Sequence, residues 1–368
     1  MLISSIFPSK YIQGRGAILC LHEESAILGN NPMVIISGSA NKMFGDVIRM
    51  NLSAGGSFSF ELFGGECSPS EINKLVAKAK QDKNDVIIGI GGGKSLDTAK
   101  AVAYQLNKPV ITVPSLASTD APCSALAVIY NEDGSFNKYL VLPQNPNVVI
   151  VDSEIIAKAP ARFLVAGMGD ALATWFEAES CKIKNATNMT GKVGTMSAYA
   201  LAKLCYETLL EYGYIALKSC EANVLTPALE NIIEANTLLS GVGFESGGLG
   251  ASHAIHNGFT TLEETHSYYH GEKVAFGTLA SLFITKKSKE KIEEVYQFCE
   301  SIGLPTTLDG IGLKEISDDK LMEVAKAACV EGETIHNEPC EINPEIVFAA
   351  LKTADLYGKN RITKNKSS

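Results

Sequence analysis

The hydrophobic pattern of this 368-residue chain changes period near residue 155, and that break limits the folds open to it. Before it, short β-branched runs at 33–37, 85–90, 109–113, 125–130, 138–142 and 147–152 alternate with helical stretches. Strands that take turns with helices imply a parallel sheet with helical crossovers. Ser68, Pro69 and Glu71 form a helix start, and Ile72, Leu75, Val76 and Ala79 follow at helical spacing. After residue 155 the β-branched runs vanish. Ala/Leu-rich amphipathic patterns at 170–184, 192–212, 228–246, 272–286, 289–302, 316–330 and 344–357 predict a helical half. The expected architecture is therefore α/β, with a nucleotide-binding parallel-sheet domain over 1–158 and an all-α domain over 159–368. The boundary is set at Ala159-Pro160. No internal repeat or low-complexity segment interrupts either part.

The strongest motif of the first half is DVIIGIGGGKSLDTAKAVAYQL, a buried strand, the glycines at 91–93, then a helix with Ala99, Val102, Ala103 and Leu106 on one face. Glycines between a strand and a helix let backbone amides approach a pyrophosphate, and the helix N-terminus adds unpaired N–H donors and a favourable dipole. Gly92, Gly93, Lys94 and Ser95 at this turn are candidate nucleotide contacts, as is Asp97 in the helix's first turn. Neither the GxGxxG nor the GxxxxGK[ST] spacing is present, and such a turn can equally be a tight connection, with Asp97 only compensating the helix dipole. A second loop over 113–136 follows the strand at 109–113, at the carboxyl edge where open α/β sheets bind ligands. It offers the hydroxyls of Ser115, Ser118, Ser124 and Tyr130, and Asp120 is the one charge within 114–131. Asp120 also suits a simple turn before Ala121-Pro122.

Four of six histidines, His253, His256, His266 and His270, fall within eighteen residues. Neutral imidazole is the commonest ligand for transition metals, and a catalytic centre needs about three protein ligands with one position open. His253 and His256 lie three apart on one helix face, and His270 begins a further apolar helical run. His266 sits in a polar stretch beside Glu263 and Glu264 and is left out. The third ligand expected is Asp170, taken to stand in the first turn of a helix after a glycine-bracketed turn, GMGD.

Taken in order, GIGGGKSLDTAK, PSLASTDAPCSALAVIY, GMGDALATWFEAE, GASHAIHNGFT and HGEKVAFGTLASL closely resemble the glycerol dehydrogenase branch of the iron-containing (group III) alcohol dehydrogenase family, over residues 30 to 290. That resemblance implies a dehydroquinate synthase-like fold, in which the nucleotide-binding and helical domains enclose a cleft. It implies Asp170, His253 and His270 as ligands of a divalent metal, usually Zn. It also implies Gly93, Lys94, Ser115, Ser118, Ser124, Leu126 and Tyr130 around the coenzyme, and Asp120 against the polyol. The wider family has a further histidine four residues after the aspartate, where this chain has Thr174. His256 is a candidate proton relay or a packing residue. Where members that prefer NAD carry an aspartate after the first strand, this chain has Ser37-Gly38-Ser39-Ala40-Asn41-Lys42. An acidic residue there excludes a 2'-phosphate, so Ser39 leaves NAD or NADP open.

The expected activity is metal-dependent hydride transfer between a nicotinamide coenzyme and glycerol or a related vicinal diol. The alternative is an NADPH-dependent reductase of 2-oxo acids or aldehydes on the same scaffold. A lyase of the dehydroquinate synthase type would need basic residues for an anionic substrate, and 163–181 and 219–272 hold none. A closed structural metal would need a fourth ligand. A net charge of -9 argues against nucleic acid. No 18-residue apolar run or signal peptide is visible, and nine cysteines form no CxxC pair. Reduced thiols, a cytoplasmic location and no membrane association are therefore expected, with a homo-oligomer, commonly octameric, implied by the resemblance. The basic segment 359–368 reads as a frayed terminus.

Overall fold

A computed structural model describes residues 2–367 and separates them into two compact units. One comprises Ile6–Pro160 and Ser219–Gly241, the other residues 2–5, Ala161–Lys218 and 242–367. The segment Ser219–Gly241 thus lies in the helical part of the sequence yet packs with the sheet.

In the sheet unit, β1 (Lys10–Gly14), β2 (Pro32–Ile36), β3 (Ser59–Leu62), β4 (Val86–Gly91), β5 (Val110–Pro114) and β8 (Val148–Asp152) form a parallel sheet in the order β1-β8-β5-β4-β2-β3. Two strands expected to join it do not. β6 (Leu126–Tyr130) and β7 (Phe136–Val141) pair antiparallel as a separate hairpin, because only a short connection links them. The edge strands β1 and β3 had no β-branched signature, since each is only half covered and needs no continuous apolar run. Central strands are buried on both faces. Val34, Ile36, Ile88 and Ile90 pack with Leu21, Ala40 and Ile48 of α1 (Leu21–Leu28) and α2 (Gly38–Ser53). Met33, Ile35 and Ile87 pack with Ile72, Leu75, Ala99 and Val102 of α3 (Pro69–Asp82) and α4 (Gly93–Leu106). Helices α2 and α4 follow neighbouring strands but cover opposite faces, so the carboxyl ends of β2 and β4 form a topological switch point. α5 (Ser153–Ala157) follows β8.

The helical unit contains α6 (Ala161–Lys184) and most of α7 (Met196–Glu221). The stretch expected as one helix over 228–246 is α8 (Pro227–Glu234), a π-helical turn (Ala235–Leu239) and α9 (Ser240–Gly247). Then follow α10 (Ala251–Phe259), α11 (His270–Ile284), α12 (Lys289–Ile302), α13 (Asp318–Ala328) and α14 (Pro344–Ser367). The basic end is not frayed through its described residues. It continues α14, and Arg361 grips Glu300 at 2.7 and 2.9 Å and also Glu293; Ser368 lies outside the described residues. Among the described residues no helix is long and apolar enough to cross a membrane, and the nine cysteines are unpaired.

Candidate metal centre and nucleotide-binding turn

Asp170 does not open a helix as its glycines suggested; it lies in the middle of α6. Gly169 is there because α11 crosses α6 at that point. A Cβ on Gly169 would come within 2.4 Å of the Gly271 carbonyl oxygen, and one on Gly271 within 1.8 Å of that of Ala166. The glycines are contact points between helix backbones rather than a turn. This close crossing brings the carboxylate of Asp170 to His270 at the first turn of α11, with Oδ1 3.1 Å from Nε2. From α10, His253 Nε2 reaches the same Oδ1 at 3.4 Å. One ligand atom from each of the three side chains falls within 4.8 Å of the other two.

The hydrogen bonding of the second ring nitrogens tells what meets at that point. Glu177 is buried; its Oε1 accepts from the His253 backbone N–H at 2.9 Å, and its Oε2 lies 2.7 Å from His253 Nδ1. A carboxylate can only accept, so Nδ1 carries the proton and Nε2 presents its lone pair towards Asp170. His270 Nδ1 lies 3.0 Å from His256 Nε2. Neither Asp170 oxygen has a hydrogen-bond partner, although the side chain is 2% exposed. Acceptors thus converge on a buried carboxylate from two partly exposed rings. Tetrahedral ligands at about 2.0–2.1 Å from a cation stand about 3.3 Å apart, which matches the 3.1 and 3.4 Å seen here. The set fits a divalent cation.

The charges agree. Burial works against the Asp170 carboxylate, but His270 and His253 outweigh it and hold the group well below the usual range. Burial also works against a charged His253, yet Glu177 and Asp170 raise its pKa well above the ordinary value, so without a cation a proton is held on the Nε2 side and a metal must displace it. His256 goes the other way: burial, then His270 and Lys273, push it well below, so it is a neutral ring. His266 is exposed and its Nε2 lies 3.0 Å from the Thr260 carbonyl oxygen, outside the cluster as expected. Thr174 is buried against Gly243. The sequence reading missed Glu177. Its signal was present, because seven residues, two helical turns, separate it from Asp170 on one face of α6. It also missed Glu338, whose Oε1 accepts from the first amide of α10, Ala251, at 2.7 Å and whose carboxyl is pushed up to about 7 by burial.

In the sheet unit, the expected nucleotide residues gather at the switch point. Ser37 at the end of β2 donates its amide to the Ile90 carbonyl at 2.9 Å, and Ser115 donates its amide to Gly91 at 2.9 Å. Gly91 has φ +141°, and a Cβ there would strike the hydroxyls of Ser37 and Ser95. Gly92 caps α4 with no side-chain bond, and neither Gly92 nor Gly93 would have a closely packed Cβ, so the first turn of α4 is open to an anion. Lys94 is held 2.6 Å from Glu66, with its ammonium 4.5 Å from the Tyr130 ring centroid. Ser39 is exposed, its hydroxyl 3.3 Å from that of Ser37. Ser118 and Leu126 are half-buried at the same edge.

Three of the candidates also make contacts within the protein. Ser95 is buried and donates its hydroxyl back to the Gly92 carbonyl at 2.8 Å. Asp97 is buried beside Lys100 at 2.8 Å and accepts the Val128 amide at 3.0 Å, because Lys100, fully buried, needs an anion and the hairpin needs an anchor. The buried Ser124 likewise turns its hydroxyl to Lys100 at 3.3 Å. Asp120 accepts from the Ser240 hydroxyl at 3.1 Å, and Asn236 on the π-helical turn donates to the Ala117 carbonyl at 2.9 Å, so that turn braces the loop.

Residues 8–153 match a family model described as iron-containing alcohol dehydrogenase. The chain is 60% identical over 367 residues to a glycerol dehydrogenase of Thermotoga maritima, covering 98% of this chain and 99% of that one. It is 52% identical over 358 residues to a glycerol dehydrogenase of Citrobacter freundii, with 97% and 98% covered. The crystal structure of glycerol dehydrogenase from Schizosaccharomyces pombe superposes with a TM-score of 0.95 at 38% identity, covering 100% of this chain and 94% of that one.

Proposed function

The chain belongs to the iron-containing alcohol dehydrogenase family, in its glycerol dehydrogenase branch, and from that premise we propose that it transfers a hydride between a nicotinamide coenzyme and glycerol or a related vicinal diol, using a divalent metal. The observation that carries this reading is the meeting of His253 and His270 with Asp170, a buried carboxylate whose oxygens have no hydrogen-bond partner. Two imidazoles and one carboxylate, with room for a further ligand, suit Zn. When bound, the cation would supply Lewis-acid polarisation of a carbinol oxygen, and the nicotinamide the two-electron acceptor.

The protein's own residues do the rest. Asp170, His253 and His270 hold and orient, and Glu177 keeps His253 in the tautomer that faces inward. His256, kept neutral, takes the hydrogen bond of His270 and so steadies that ring. We assign the pyrophosphate to the open first turn of α4, with Gly92, Gly93 and Lys94 around it. Ser115, Ser118, Leu126 and Tyr130 line the nicotinamide side. Asp120, steadied by Ser240, is the carboxylate we assign to a polyol hydroxyl. On this reading the sheet unit carries the nucleotide and the helical unit the metal. The lack of a carboxylate at Ser39 leads us to propose that NADP(H) is accepted alongside NAD(H), with Lys42 available to a 2'-phosphate. The nine unpaired thiols suit a reducing compartment, and we place the enzyme in the cytoplasm.

A steady-state screen on one Zn-loaded preparation tests the proposal, pairing each coenzyme with glycerol, other vicinal diols and 2-oxo acids. Turnover of glycerol or a diol, lost on chelation and recovered with Zn, is expected. Reduction of 2-oxo acids with no diol oxidation by either coenzyme would overturn it.

A further inference from the structure

The two imidazoles of the triad are tied down in different ways. His253 meets a carboxylate directly, Glu177 at 2.7 Å. His270 meets another imidazole, His256, at 3.0 Å, and a neutral ring can either donate or accept there. Which it does depends on what lies behind. His256 Nδ1 is 3.2 Å from Asn257 Oδ1, and Asn257 Nδ2 is 3.1 and 3.3 Å from the two oxygens of Glu333. Glu333 can only accept, so the Asn257 amide must donate to it, which turns Oδ1 towards His256. That oxygen takes the proton of His256 Nδ1, leaving Nε2 as an acceptor. His270 must then donate from Nδ1, and its Nε2 lone pair faces Asp170. A flipped amide would set its oxygen against the Glu333 carboxylate, and that repulsion fixes the orientation.

We infer that Glu333, acting through Asn257 and His256, is a positioning residue that fixes which nitrogen of His270 faces the metal point. This rests on the reading of Asp170, His253 and His270 as a metal site. Glu333 is well placed to hold a direction. The segment it begins is fastened to the start of α10 by Thr334 to the Gly250 carbonyl at 2.8 Å, Asn337 to the Leu249 carbonyl at 2.9 Å, and Glu338 from the Ala251 amide. Both ligand rings are then locked by a carboxylate, one at first hand and one at the end of a three-bond wire.

The test measures Zn affinity of the full chain by competition with a chromogenic chelator, the Co absorption spectrum, and the melting temperature of the metal-free protein. Glu333→Ala should weaken Zn binding by about 10- to 100-fold, the range for a lost partner of a ligating histidine, and change the Co spectrum, with little change in metal-free melting. Asn257→Leu alone should do at least as badly, since it removes the acceptor of the His256 proton. The double variant Asn257→Asp/Glu333→Gln exchanges amide and acid: the carboxylate at 257 takes the His256 proton unaided and the amide at 333 donates to it. Its affinity should return to within about threefold of wild type, far inside the loss of either single change. A packing role would move melting but not affinity, and the exchange would restore nothing; either result overturns the inference. If Asp170→Asn abolishes Zn binding while Glu333→Ala leaves it unchanged, only this inference fails. If the wild type binds no Zn, the metal reading fails with it.

Discussion

Replacing Gly271 by alanine tests the helix crossing that builds the site. The added Cβ would lie 1.8 Å from the Ala166 carbonyl oxygen, 2.7 Å from its carbonyl carbon and 2.9 Å from the Asp170 amide nitrogen. All three are backbone atoms of α6, so no side chain can swing away. To reach an ordinary contact of 3.4 Å the helices must part by about 1.6 Å, taken as 3.4 less 1.8. Overpacking of this kind costs about 1–3 kcal/mol where side chains can adjust, and here the upper end is expected because they cannot. His270 is the neighbouring residue, and its Nε2 now stands 3.1 Å from Asp170 Oδ1. Metal sites tolerate about 0.2 Å in ligand distance, so a displacement eight times larger should remove His270 from the cation. Losing an outer partner costs about 10- to 100-fold in affinity, and losing a ligand should cost more than about 100-fold. Chelator competition with Zn reads this directly, alongside thermal melting of the metal-free variant. A Gly271→Ala protein that binds Zn within about threefold of wild type would refute the idea that the crossing sets the ligand geometry.

Asp170→Asn keeps the shape but removes the anion, so Zn binding and nearly all turnover should vanish while circular dichroism is unchanged; substantial activity in that variant, or in chelated wild type, would sink the site. Wild type should use NADP(H) at least as well as NAD(H), and Ser39→Asp should swing the kcat/KM ratio towards NAD(H) by about tenfold or more through repulsion of the 2'-phosphate. A wild type that strongly prefers NAD(H) would show that another part of the loop sets the choice. Glu338 gives a pH prediction. Burial holds its carboxyl at about 7 in the folded state, above its ordinary value of 4.5, so the folded state binds more protons between those values. Its contribution is present in full below about pH 4.5 and is lost as pH rises through 7, up to about 3 kcal/mol in all. Glu338→Gln keeps an acceptor for Ala251 and should flatten the fall in melting temperature between pH 5 and 8; identical slopes for the two proteins would refute this.

What the sequence displayed openly was whatever local chemistry determines. Ser68, Pro69 and Glu71 begin α3 as their order requires, with the Ser68 hydroxyl accepting the Glu71 amide. The break near 155 separates β-branched strands from Ala/Leu helices because each half satisfies its own period. The glycines before Asp170 misled because a glycine inside a helix costs about 1 kcal/mol and so reads as a terminus. The compensating contact lies about 100 residues away in α11, and no local pattern contains it. β6 and β7 have the composition of core strands, yet composition does not choose a partner, and a hairpin wins over the larger sheet when the connection is short.

The site divides along the same line. Histidines carry metal chemistry in their type, so the cluster stood out by density, position within it singled out His253 and His270, and Asp170 followed from its glycine-bracketed segment. Asp97 and Ser95 also stood out, as polar residues on a glycine turn, but the sequence could not show that Lys100 is buried beneath that turn and pairs with Asp97. Glu177, Glu333 and Glu338 had the opposite fate. Each is an ordinary glutamate in sequence, and each acquires meaning only from a group 76 to 87 positions away: His253, Asn257 and Ala251 respectively. Ligands are recognisable because their chemistry is rare. The carboxylates that aim them are common residues, and folding alone makes them specific, so the half of a metal site that sets its direction is the half that a sequence hides.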